Sequence, residues 1–532
     1  MLNRLKNSVT YLNSKVNSIS TKFEIKNALL KKILPTLLFL CFIHLFYTYV
    51  GLYKYLDKRP CSIHSSAQCQ RASVALNYYE NDMNFFKPMV QKDSVGIGIT
   101  GLEFPVVYYT GAVLYKAFGF NEAYLKGVGL FILTLGLVFF NLLVLRFIKN
   151  YILSIAIVAA VICSPVLLYY TPNFMPDVPS LAFVMCSWYF FFKYLTSNAI
   201  KHLNWYIFFG TLAALVKSIA IISFAVIICL LILDYLKYFK NQKKTSVFVN
   251  RKIIFFRILT GILIVFAWYF YATWLSKTNH NETFSLSPVM VSDMETARKV
   301  FEVIKNLWLF NYYPYETYVF ICGILIFLLM CYKLVSKFLF SITLLYVLGC
   351  LCYVYFFFNQ FMWHDYYIIA VLPCVFFLFL TFADLIARLS ENYFALTKAI
   401  LFVVLFFNVK ECLAWSKKQY NDRFTEYSID FFGNYRPYED LEPKLRGLGI
   451  KREDKVLFGF DISFCNELYL SNQLGYSFDP SISKEHLDKL MNNTRFKYLV
   501  LNDSMQFNKL YGKDISNKAI SAYRSLIIYK LH

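Results

Sequence analysis

The chain runs to 532 residues, of which 58% are hydrophobic and only 16% charged, too little polar surface for a soluble fold of this length. Its net charge of +21 sits almost wholly before residue 415: residues 1–414 hold 36 Lys and Arg against 18 Asp and Glu, and residues 415–532 hold 18 against 15. An excess carried by loops between apolar runs is the positive-inside pattern of a membrane protein, and it argues against a nucleic-acid surface.

Residues 1–32 carry seven Lys and Arg against one acid, Glu24, and read as a basic cytoplasmic end. The first apolar run begins near Leu34 with no small-residue cleavage site after it, so it stays as a span over 33–53. A polar loop, 54–122, then lies outside. Apolar windows long enough to cross a ~30 Å hydrocarbon core recur, over 123–147, 151–169, 178–195, 204–216, 218–236, 253–275, 315–332, 338–358, 367–387 and 397–414. The expectation is a polytopic α-helical membrane protein of about eleven spans, with the domain 33–414 followed by an outer tail, 415–532. The Lys- and Arg-rich loop 237–252 is cytoplasmic, and 276–314 is a second outer loop.

Within the first outer loop, Ala72, Ala75, Leu76 and Tyr79 follow helical spacing over 68–81. Gln70, Ser73, Asn77 and Asn81 fall on the opposite face, which predicts an amphipathic helix turning polar groups toward a cleft. The stretch 104–119, FPVVYYTGAVLYKAFG, is apolar but short and reads as a helix at the interface. The tail is polar, with strand-like runs at 455–460 and 497–502 and a helical stretch at 484–492. This predicts a small extracytoplasmic α/β domain large enough for its own core. Most of the 13 cysteines lie in spans, and no CxxC or zinc-type Cys/His spacing occurs. Cys61 and Cys69 share the first loop and pair only if it meets an oxidising compartment.

Several polar groups fall on the outer side. The first loop offers His64, Gln68, Gln70, Arg71, Glu80 and Asp82. Glu103 in GLEFP precedes the interfacial stretch, where a carboxylate is costly unless paired or functional; an exposed or salt-bridged Glu is the plain alternative. Asp177 stands at the mouth of the fourth span, where it also serves as a helix cap. Lys217 separates the fifth and sixth spans and either meets an anionic headgroup or snorkels. The run FMWHDYY adds His364, Asp365 and Tyr366, beside aromatics expected as interface anchors. A cleft holding Glu103, Asp177, Lys217 and His364 suits a lipid-linked anionic substrate.

The segments HSSAQCQRASVALNYYENDMNFFKP, LEFPVVYYTGAVLYKAFG, SPVLLYYTPNFMPDVPSLAF and MWHDYYIIAVLP, in that order, resemble the bacterial branch of glycosyltransferase family 39. The likeness covers roughly residues 30–400; the tail does not share it. The resemblance implies the GT-C membrane fold, shared with protein O-mannosyltransferases and the lipid A aminoarabinose transferase. It implies an inverting transfer of sugar from a polyprenyl-phosphate carrier to a lipid, glycan or protein acceptor, outside the bacterial inner membrane among its lipids. It also implies a carboxylate base in the first outer loop and a second acid after span three. Asp177 in MPD matches the second, and Glu103 in EFP matches a recurrent motif. One departure stands out: Gln70 occupies a position where an Asp is expected, and an amide cannot act as a base. The base then falls to Glu103, with Glu80 and Asp82 behind it, or the chain is an inactive relative. A transporter or flippase of a lipid-linked substrate is the remaining alternative. No cofactor is expected, the need for a divalent ion stays open, and no DxD pair occurs in the outer loops.

Overall fold

The structure, a computed structural model, describes residues 28–92, 98–239, 247–281, 283, 284, 290–389, 394–460, 463, 465–512 and 515–532, with side chains left aside at 28–32, 394–400 and 426–434. The basic segment 1–27 and Lys240, Lys243 and Lys244 lie outside the described residues.

In chain order the helices are α1 Ala28–Val50, α2 Ser65–Glu80, α3 Val106–Phe118, α4 Glu122–Ile148, α5 Tyr151–Ile162, α6 Pro165–Tyr170, α7 Asp177–Ser197, α8 Ile200–Val216, α9 Ile222–Tyr235, α10 Arg251–Thr278, α11 Met294–Val303, α12 Tyr315–Met330, α13 Lys337–Phe357, α14 Leu372–Arg388 and α15 Phe394–Tyr435. Each expected span falls on a helix. Among the described residues, seven helical segments are long and apolar enough to cross a membrane, or eight if Met294–Tyr312 and Tyr315–Met330, bent by 87°, form one broken span. The chain is therefore a multi-pass membrane protein. Other expected spans are shorter: α5 has 12 residues and α8 has 17.

The third expected span, 151–169, is broken. Pro165 has no N–H to donate and disfavours helical backbone at Ser164, so α5 stops and α6 restarts with Ser164 Oγ capping Leu167 N at 3.4 Å. A second break falls at Lys217, whose extended backbone (φ −148°, ψ 112°) separates α8 from a 3-10 turn leading into α9. The segment 276–314, read as a loop, carries α11.

The bundle is layered. The windows containing α7 and α14 are 78% and 72% buried, whereas α10 is only 28% buried and forms the rim. Gly136 of α4 lets α7 come close, since a Cβ there would meet the Ala182 backbone at 2.7 Å, the small-residue packing common between membrane helices.

The tail folds as a five-stranded mixed sheet of order β2-β1-β3-β5-β4, with β1 Lys455–Gly459, β2 Gly475–Phe478, β3 Phe496–Leu501, β4 Ala519–Tyr523 and β5 Leu526–Lys530. Alternation along the strands gives it two faces. Leu457, Leu499 and Leu501 pack with Leu487 and Phe507 on one side. Val456, Phe458, Val500 and Ile528 on the other join a core that includes Ala72, Ala75 and Leu76 of α2. The tail thus shares half its core with the first loop. Every cysteine is a thiol, Cys61 and Cys69 included, so the pairing considered for that loop does not form.

Candidate functional site

Three buried ion pairs gather where the first loop, the Lys217 break and the turn before α14 meet. The first joins α2 to the loop before α3. Arg71 Nε lies 3.2 Å from Glu103 Oε1, and Tyr108 Oη donates to the same oxygen at 2.6 Å. The Glu103 loop is held against its neighbours: Phe104 N donates to Leu215 O at 2.9 Å, and Trp268 Nε1 to Leu102 O at 3.1 Å. Gly101 is required there, because a Cβ would fall 1.7 Å from Ala272 O. Burial alone would raise the Glu103 pKa, but Arg71, the Tyr108 hydrogen bond and Lys217 together hold the carboxyl below its ordinary value.

The second pair is Lys217 Nζ with Asp177 Oδ1 at 2.9 Å, the two side chains 22% and 2% exposed. The Oδ2 atom of Asp177 is buried with no hydrogen-bond partner. Lys217 also lies over the rings of Tyr367 and Tyr366, at 5.3 and 5.7 Å. Burial opposes the charge on Lys217, and Asp177 more than restores it, so its pKa rises. The third pair is deeper: Arg423 Nη2 donates to Asp365 Oδ2 at 2.6 Å, with both side chains essentially inaccessible. Tyr170 Oη donates to Asp365 Oδ1 at 2.7 Å, and His64 Nε2 lies 3.2 Å from that oxygen without the alignment of a full hydrogen bond.

Arg71, Glu103 and Lys217 face a cavity of about 530 Å³ also lined by Gln70, His364 and Tyr366, with Tyr269, Phe284, Tyr353, Phe357 and Tyr367 forming an aromatic wall beside Gln360. Lys217 also borders a narrow crevice running down to Ser180, Val184 and Tyr346 between α7, α9 and α13; Asp177 opens onto that crevice. His64 stands one ring back, 5.3 Å from Tyr366 and 5.5 Å from His364. Burial, then the charges of His64, Lys217 and Arg71, pull the His364 pKa down to about 3, which leaves its imidazole neutral.

Six expected residues therefore line one cavity, and Asp177, His64 and Asp365 support it from behind. Three others do not reach it. Gln68 is buried, its amide donating to Cys61 O, Ile63 O and Tyr169 Oη at 3.0, 2.9 and 3.2 Å; it ties the loop to α6. Glu80 and Asp82 are exposed at the C-terminal end of α2, outside the cavity lining. The polar face expected over 68–81 also divides. Gln70 lines the cavity, whereas Ser73 and Asn77 are covered by the 84–91 loop, with Ser73 Oγ accepting from Gln91 N at 2.9 Å. Arg423, Tyr108 and the aromatic wall were missed from sequence. Arg423 lies in a polar stretch, QYNDRFTEYS, with no local signal of burial. Among the described residues, no group of three His, Cys, Asp or Glu is placed to hold a metal ion.

No family model matches the chain, and no curated protein sequence does. Solved structures match over nearly its full length. ArnT from Cupriavidus metallidurans in the apo state aligns with a TM-score of 0.56 at 10% identity, covering 93% of this chain and 97% of that one. The chain has the GT-C membrane fold. The same ArnT bound to undecaprenyl phosphate gives 0.54 at 11% identity over 92% and 98%. The Archaeoglobus fulgidus oligosaccharyltransferase in the apo form gives 0.50 at 12% identity over 90% and 70%. At such identities the likeness is one of fold.

Proposed function

We propose that this GT-C protein is a membrane glycosyltransferase that moves a sugar from a polyprenyl-phosphate carrier to a lipid, glycan or protein acceptor on the outer face of the bacterial inner membrane. The observation that carries the reading is the pair Arg71 and Lys217, two cations lining one aromatic-walled cavity, each backed by a buried carboxylate. Such an arrangement suits a phosphate that gains charge as it leaves. The aromatic faces suit a sugar ring, and the solved likeness to an ArnT bound to undecaprenyl phosphate supports the carrier.

In the proposed step the acceptor oxygen attacks the anomeric carbon from the face opposite the phosphate. The carbon–oxygen bond to the carrier breaks, its electron pair leaves on the phosphate, and configuration inverts. Glu103, the carboxylate that lines the cavity, takes the acceptor proton. Alone, its depressed proton affinity makes it a weak base. A bound phosphate offsets the fields of Arg71 and Lys217, so its proton affinity climbs once the donor is seated. Asp177 keeps Lys217 charged for the leaving group.

The test compares carrier-linked sugars and surface glycans by mass spectrometry in wild-type, deletion and Glu103→Gln strains. Accumulation of one carrier-linked sugar with loss of that sugar from a glycan supports the proposal. Unchanged pools under expressing conditions refute it. Gln70 favours a second reading, a non-catalytic binder of the same carrier, because it places an amide at the cavity. Purified protein that binds undecaprenyl phosphate but transfers nothing would select that reading.

A further inference from the structure

The tail sheet grips the cavity wall through α2, at both ends of the helix. At the N-terminal end, Asn466 Nδ2 donates to Ser65 Oγ at 2.8 Å and Cys465 Sγ to Ser66 O at 3.3 Å. At the other end stands Arg452, 8% exposed. Its Nη2 donates to Asn77 Oδ1 at 2.7 Å, its Nη1 to Asn81 Oδ1 at 2.8 Å and its Nε to Asn472 Oδ1 at 3.0 Å. Burying a guanidinium against amide oxygens is costly unless its fork is fully used. Here the fork joins the last turn of α2 and its C-terminal cap, Asn81, to the sheet domain.

Asn77 and Arg71 are six residues apart, which on a helix is about 9 Å along the axis and about 120° around it. A rotation of α2 at Asn77 therefore swings the Arg71 guanidinium across the cavity. We infer that Arg452 is a positioning residue: the tail domain, through Arg452, sets the rotation of α2 and so aims Arg71 at the bound phosphate. The inference rests on the carrier reading for its ligand, but not for the coupling between Arg452 and α2.

The full chain, purified in detergent, is titrated with undecaprenyl phosphate, and hydrogen exchange is followed along residues 66–76. Arg452→Ala is expected to weaken binding roughly tenfold and to speed exchange in α2 while β1 and β3 stay protected. Arg452→Lys, which can reach fewer of the three amide oxygens, falls between. If Arg452→Ala does not fold, Arg452→Lys carries the comparison. Arg524→Ala, which loses a 2.7 Å tail contact to Asp440, leaves both readouts at wild type. In an Arg71→Ala background, removing Arg452 adds no further loss of affinity. An equal loss in both backgrounds makes Arg452 merely structural and overturns the inference, as does unchanged α2 exchange in Arg452→Ala. If Arg71→Ala binds like wild type while Arg452→Ala still loosens α2, the carrier reading fails and the positioning of α2 stands.

Discussion

Replacing Lys217 by Met separates two jobs that the structure gives one ammonium group. The pair with Asp177 spans 2.9 Å. Two unit charges at that distance attract by about 6 kcal/mol at an effective dielectric constant of about 20, before desolvation is subtracted. Removing Lys217 strands a carboxylate that is 2% exposed. The expected destabilisation is therefore about 3–5 kcal/mol, the usual cost of removing one partner of a buried pair. Adding Asp177→Asn removes the stranded charge and restores the melting temperature. It does not restore the ligand contact. A charge-assisted hydrogen bond contributes about 1.5–3 kcal/mol, so both variants bind undecaprenyl phosphate roughly 10- to 150-fold more weakly. Melting followed by tryptophan fluorescence reads the first effect and titration reads the second. If the double variant regains affinity along with stability, Lys217 is a structural partner of Asp177 and not a phosphate ligand.

Glu103→Gln should lower transfer by about 10²–10⁴-fold while carrier binding survives; comparable losses in both would make Glu103 a scaffold for Arg71. Because the Glu103 carboxyl is held below its ordinary value, the Arg71 pairing stabilises the fold fully above the unfolded carboxyl pKa of about 4.3. That contribution is lost as pH falls through the lower folded value, so Glu103→Gln should flatten stability against pH in that window alone. Asp365→Asn leaves the buried Arg423 uncompensated and should cost about 3–5 kcal/mol; a melting temperature like wild type would show that the pair contributes little. With its pKa near 3, His364 should add no limb to a rate profile between pH 5 and 8, and His364→Asn should leave the profile's shape unchanged.

The spans were legible because length and apolarity are additive along the chain, and a 20-residue run announces itself whatever it packs against. The break at Ser164–Pro165 was also written in the sequence, but hydropathy averages over it. What sequence could not supply was direction. Gln68 and Gln70 are two residues apart, hence about 200° apart on a helix; one ties α2 to Tyr169 and the other lines the cavity. Nothing local says which. The pairing of Asp177 with Lys217 likewise depends on how α7 and α8 return past each other, and Arg423 meets Asp365 only because α15 folds back beside the turn before α14. Charged residues were visible, but their partners were set by tertiary contacts.

Those partners give the site its working logic. A cavity at a membrane boundary that must hold an anion needs cations there before the ligand arrives, and unpaired buried cations are costly. Glu103 and Asp177 offset that cost by pairing with Arg71 and Lys217. In the proposed step an arriving phosphate competes with each carboxylate for its cation. As Arg71 is shared, Glu103 loses part of the field that depresses its pKa and becomes a better proton acceptor. Once Glu103 carries the acceptor's proton, Arg71 is freer to hold the leaving phosphate; loss of that proton restores the Arg71–Glu103 pair, and the renewed competition favours release. Binding and base strength are thereby linked through one guanidinium. On this account Arg71→Lys, which keeps the charge but not the fork that spans both anions, should lower the rate of transfer more than it weakens binding. A variant that lost affinity and rate in equal measure would show that Arg71 only binds.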